Sequence, residues 1–158
     1  MDLAAVAQAL PNGEKAAARN QPVQLSFPLP RAPNTRVNLH LTVHTAALLL
    51  FVTTTSPEHD AGVTAPVGSF VYAMPNRAAP TAQPLSTPLY PQTPTLDLAT
   101  RLAKILARRT GRPTYVGNST SFASAGAGGN VEEEMEGLAR VVEVVIDEVK
   151  KADQAAGP

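Results

Sequence analysis

The chain has 158 residues, a formal net charge of zero, 44% hydrophobic residues, 4% aromatics and no cysteine. This is one domain's length, residues 1–158, with a core to be built from Val, Leu, Ile and Ala. Zero net charge argues against nucleic acid or an anionic membrane as a partner held by bulk charge. The missing cysteines exclude disulfides, thiolate zinc sites and thiol nucleophiles, which suits a reducing compartment. No apolar run approaches the roughly 18–20 residues of a membrane-crossing helix, and the first residues lack the basic start of a signal peptide. The expected location is the cytoplasm, with the nucleus also open to it.

In chain order, residues 1–20 offer a short helix over Asp2–Leu10, stopped by Pro11, Asn12 and Gly13, in a segment expected to be largely mobile. Val23, Leu25 and Phe27 alternate with Gln24 and Ser26, a half-buried strand pattern. Residues 36–44 alternate more cleanly. Val37, Leu39, Leu41 and Val43 are expected to face the core, and Asn38, His40, Thr42 and His44 to face outward. Thr45 and Ala46 make a tight turn into residues 47–54, ALLLFVTT, which are apolar nearly throughout and read as a strand covered on both sides. One side packs on helices; another sheet, a loop or a partner chain covers the other. A polar loop from Pro57 to Gly62 precedes a strand over 66–74, with Phe70, Tyr72 and Met74 on one face and Val67, Ser69 and Val71 on the other.

Residues 75–84 are rich in Pro and Ala and read as a flexible loop. A short strand end near Ser86 leads to the strongest helix signal. Thr95 is the expected N-cap, and Leu98, Ala99, Leu102, Ala103, Ile105 and Leu106 form an apolar stripe at steps of three and four. Asp97 is expected in the first turn, and Arg108 and Arg109 lie in the last. Gly111 is placed for a left-handed stop and Pro113 prevents resumption, so the helix is expected from Leu96 to Thr110. A strand follows over 113–117, then a Ser/Gly/Ala-rich flexible loop over 119–130. Asn130 and Glu133 form a capping-box pattern for a last helix over 131–151. Its stripe is Val131, Met135, Leu138, Val142, Val145 and Val149, a spacing that suits the core first and an intermolecular seam second. Hairpin-length connections early in the chain point to an α+β fold: a mainly antiparallel β-sheet or sandwich with two main helices packed against it.

No constellation of catalytic residues emerges. His40 and His44 share a strand face but lie about 13 Å apart along it, too far for one zinc. His59 stands between Glu58 and Asp60 without a further ligand cluster. Gly126, Gly128 and Gly129 precede a helix but lack the third glycine of a dinucleotide fingerprint and the lysine of a P-loop, and three glutamates follow. Ser119, Ser121 and Ser124 show no nucleophile elbow. Arg101, Lys104, Arg108, Arg109 and Arg112 form the most basic patch, a solvated helix face or a contact for an acidic partner.

Six pieces of the chain, in order, resemble the proteasome assembly chaperone 4 family. They are the hairpin Val37–Val52, the opening Ser86, Thr87 and Leu89, the helix core LATRLA (Leu98–Ala103), the exit RRTGR (Arg108–Arg112), the strand PTYVGN (Pro113–Asn118) and the acidic run Glu132–Glu136. The loops 75–84 and 119–130 look longer than the family pattern needs, and the first twenty residues match no part of it. The resemblance implies a non-enzymatic chaperone, without cofactor or metal, for assembly of the 20S proteasome α-ring. It implies a heterodimer with the related third assembly chaperone and binding to α-type subunits, especially the fifth. Within that reading Leu48, Leu50 and Val52 are the expected contacts to the sister chain, and Arg101, Lys104 and Arg108 to the α subunit. The alternative is a small α+β interaction scaffold unrelated to the proteasome.

Overall fold

The structure, a computed structural model, describes residues 20–57, 65–120 and 131–157. Its elements are β1 (Val23–Pro28), β2 (Arg36–Val43), β3 (Leu48–Thr55), β4 (Ser69–Met74), β5 (Leu85–Tyr90), α1 (Thr93–Thr110), β6 (Thr114–Asn118) and α2 (Val131–Ala156). The strands form one sheet in the order β1-β2-β3-β6-β4-β5. Every neighbouring pair is antiparallel except β3 and β6, which run parallel. The fold is therefore α+β with a mostly antiparallel open sheet, as the connection lengths predict.

Alternation decides which side of each strand enters the core, because successive side chains point to opposite faces. In β2, Val37, Leu39, Leu41 and Val43 are buried; in β3 the buried set is Leu48, Leu50 and Val52; β4 and β6 add Val71, Ala73 and Val116. Helix α1 buries Leu98, Ala99, Leu102, Ala103, Leu106 and Ala107 against that face, and α2 adds Leu138, Val141, Val142, Val145, Ile146 and Val149. The turn between β2 and β3 is closed by the His44 N–H donating to the Ala47 carbonyl at 2.9 Å. His44 thus lies beyond the strand that was expected to include it, with its Nδ1 2.9 Å from Asn20 Oδ1.

Helix α1 starts three residues earlier than its sequence suggests. Gln92 is the N-cap, without a side-chain cap bond, and Pro94 sits inside the first turn. Proline is tolerated there because its missing N–H would have had no helical partner anyway. Thr95 is thereby freed from capping, and its hydroxyl accepts the Ser69 N–H at 3.0 Å. Asp97 falls beyond the first turn and pairs with Arg101 at 3.0 Å. The other end is as expected: Gly111 is left-handed (φ 67°) and its N–H donates to the Ala107 carbonyl at 2.9 Å.

Helix α2 runs past Lys151 to Ala156, and its first turn is not core: Val131 and Met135 are 72% and 51% exposed. Ion pairs hold this end instead, with Arg31 3.0 Å or less from Glu132 and Glu136. The Glu132 hydrogen bond and the Glu136 charge hold the Arg31 guanidinium above its ordinary pKa. The expected Asn130 cap, the Asp2–Leu10 helix and most of the 119–130 loop lie outside the described residues. In the 75–84 connection, the Ala79 N–H donates to Asn76 Oδ1 at 3.1 Å and the Ala82 N–H to the Ala79 carbonyl at 2.8 Å.

A small polar cluster locks α1 to the sheet. Ser69 Oγ donates to the Gln92 carbonyl and accepts the Gln92 N–H, both at 2.9 Å. Buried Asn118 donates to the Thr95 carbonyl at 3.2 Å, and its Oδ1 accepts from both the N–H and the hydroxyl of Thr120. Buried Ser69, Asn118 and Thr120 thus each have hydrogen-bond partners, which offset the cost of taking them out of water. Gly68 (φ 68°) passes so close that a Cβ would lie 2.0 Å from the Asn118 carbonyl oxygen.

Candidate partner interface

Both helices pack on one face of the sheet, and no described element covers the other. That open face carries the alternate residues of every strand, and it is where the aromatic side chains collect. Of the chain's four phenylalanines and three tyrosines, Phe51, Phe70, Tyr72, Tyr90 and Tyr115 lie there by register. In a sequence with only 4% aromatics this placement is the main chemical difference between the two faces.

The rings form a ladder across the strands. His40 and Phe51 have centroids 6.4 Å apart, Phe51 and Phe70 6.0 Å with planes 5° from parallel, and Phe70 and Tyr115 6.1 Å. Tyr72 and Tyr115 approach to 4.8 Å at 46°. Offset contacts of this kind add about 0.5–1.5 kcal/mol per pair beyond area burial. Gly117 makes the ladder possible, since a Cβ at that position would lie 2.4 Å from the Phe51 ring. The missing side chain lets Phe51 lie over the β6 backbone and reach toward Phe70. Met74, Leu85 and Tyr90 continue the face toward the β5 edge and are 44%, 67% and 57% exposed. Toward β1 it carries Gln24, Asn38, His40 and Thr53, and a groove of about 470 Å³ opens between these residues, Phe51, Gly117 and the segment Ala65, Pro66 and Val67.

Leu48, Leu50 and Val52, expected to meet a sister chain, do not face outward. They are 0%, 0% and 3% exposed, inside the chain's own core. The register of β3 between β2 and β6 turns those three to the helices, so the part of β3 open to a partner is its other side, Leu49, Phe51 and Thr53. Alternation alone could have separated the two sets. What it could not supply is which set the helices take.

Arg101, Lys104 and Arg108 lie on α1, in the helix layer behind the sheet. Arg101 is engaged by Asp97, and Arg112 by Asp153 at 2.6 Å. No ion pair is recorded for Lys104, Arg108 or Arg109 among the described residues. His40 belongs to the aromatic ladder, His59 lies outside the described residues, and among those described no group of three or more His, Asp or Glu could hold a metal. No described helix is long and apolar enough to cross a membrane.

Comparison with known proteins fits this architecture. A chain from a chaperone complex for yeast 20S proteasome assembly has the same fold, with a TM-score of 0.57 at 14% sequence identity, over 84% of this chain and 96% of that one. No curated protein matches the chain. The family model for proteasome assembly chaperone 4 matches residues 36–120, from the first residue of β2 to just past β6, which is more than half of the chain. This stretch contains the aromatic ladder, the polar cluster and all of α1, and on it the chain belongs to the proteasome assembly chaperone 4 family.

Proposed function

We propose that this chain promotes assembly of the 20S proteasome α-ring as one half of a heterodimer with the related third assembly chaperone. The pair holds α-type subunits, the fifth above all, by surface complementarity and keeps wrong neighbours out. The observation that carries this reading is the open aromatic face. A ladder of Phe51, Phe70, Tyr115 and Tyr72 on an uncovered sheet is the composition of an interface core, where aromatic anchors dominate binding. A sister chain laying its own sheet on this face at about 10 Å would bury it as the two layers of a sandwich are buried. The basic residues of α1, Arg101, Lys104 and Arg108, sit in the other layer and remain accessible to an α-type subunit while the sister chain is bound, Arg101 by exchanging its Asp97 partner.

Co-expression with the third assembly chaperone, followed by size-exclusion chromatography with light scattering, tests the reading. A 1:1 heterodimer that captures the fifth α-type subunit is expected. Two separate, well-folded proteins, neither binding an α subunit, would overturn it in favour of an interaction scaffold with other partners.

A further inference from the structure

The charges of the described residues are unevenly spread. Apart from Asp97, every described carboxylate lies on α2. Most described cations have a partner: Arg31, Arg101, Arg112, Arg140 and Lys151 pair with carboxylates, and Arg36 donates to Ser26. Arg77 and Arg108 make no ion pair or side-chain hydrogen bond among the described residues, and they approach one cleft from different elements. Both line a cleft of about 210 Å³ between the end of α1 and the β4–β5 connection. The rest of its lining is Pro75, Asn76, Pro80, Ala82, Pro84 and Gly111, mostly apolar and without a carboxylate. The turn bonds of Asn76, Ala79 and Ala82 hold that wall in place.

Arg108 has a structural reason to be there, since a cation in the last turn suits the helix dipole. Arg77 has none, because it projects from a loop. Two arginines lining one cleft with prolines are matched by a carboxylate next to an apolar side chain, because the guanidinium fork fits a carboxylate. Partial desolvation by the prolines strengthens such a pair relative to open water. The volume is below the about 300–1,000 Å³ of small-molecule and cofactor pockets, which suits a side chain and its neighbour.

We infer that this cleft docks an acidic segment of an α-type subunit, with an Asp or Glu carboxylate held between Arg77 and Arg108 and an adjacent apolar side chain against the prolines. The inference rests on the chaperone reading and deepens it, moving the docking point from the middle of α1 to its end and to the loop beside it. It predicts binding that weakens with salt, because an ion pair near the surface is screened.

The test uses the purified heterodimer with its sister chaperone, and the recombinant fifth α-type subunit as the probe. Arg77→Glu combined with Arg108→Glu should weaken binding at least about tenfold and flatten its salt dependence, with heterodimer formation and thermal melting unchanged. Arg140→Glu, on α2, should bind as the parent does. Ala82→Phe fills the cleft without touching its charge and should weaken binding several-fold. If the parent binds and both cleft variants bind within about twofold of it, the cleft is not the docking site and the chaperone reading stands. If the parent heterodimer binds no α-type subunit, the reading and the inference fall together.

Discussion

The two faces of the sheet are built from the same strands and differ in almost everything else. The closed face is aliphatic: Leu41, Leu48, Leu50, Val71 and Val116 are fully buried under α1 and α2. The open face is aromatic and half-exposed, with Phe51, Phe70, Tyr72 and Tyr115 stacked on one another and not on a second layer. The difference teaches how stability and binding are separated within one strand. Leu50 and Phe51 are neighbours in sequence, yet one holds the chain together and the other is available to a partner. Aliphatic side chains interdigitate under helices, whereas rings lying flat across strands leave a broad surface that a second sheet can cover.

The largest effect should come from the closed face. Leu50→Ala removes a fully buried side chain of β3 from the core and should cost about 2–5 kcal/mol in denaturant unfolding. Next is the clamp at its rim. Asn118→Ala leaves the Thr95 carbonyl and both Thr120 donors without their buried partner, for a loss of about 1–3 kcal/mol by the same assay. Gly117→Ala sharpens the comparison, because its Cβ meets the Phe51 ring and must displace it. It should cost about 1–3 kcal/mol and also weaken pairing with the sister chaperone, the one change here that reaches both faces. The smallest effect belongs to neither face. Arg31→Ala releases the exposed start of α2, and hydrogen exchange should rise over Glu132–Glu136 with little change in melting temperature.

How much of this could be read from the residues depends on whether the signal is local. The alternation of Val37 to Val43 is a property of seven consecutive residues and predicts both the strand and its buried side. The nearly unbroken apolar run of β3 reads as a strand covered on both faces, whereas among the described residues only one face is covered, by the helices. The run says nothing of which face meets helices, because that depends on a strand whose paired residues lie 66 positions away in sequence. The parallel β3–β6 pairing is hidden for the same reason: β6 enters the sheet between β3 and β4, which precede it in the chain. Strand β5 shows only as a strand end, since Pro88 and a register shift opposite Phe70 and Val71 break its pattern. Thr95 reads as the N-cap, but Pro94 fits the first turn and the helix begins ahead of both. Gly117 looks like any glycine until Phe51 is seen lying across it. The basic stripe of α1 is visible in the sequence, whereas Arg77 is not, because only the fold brings it to Arg108.

The claim at the centre of this account is that the aromatic face is the pairing surface. Titration calorimetry of the chain against purified third assembly chaperone, comparing the parent with a Phe51→Ala, Tyr115→Ala variant, tests it most directly. The account predicts a 1:1 complex for the parent. It predicts affinity at least about a hundredfold weaker for the variant, which loses two anchors, while far-ultraviolet circular dichroism and cooperative melting show that the variant remains folded. A folded variant that binds the sister chaperone as tightly as the parent would contradict it, and the interface would then have to lie on the helix layer or the sheet edges.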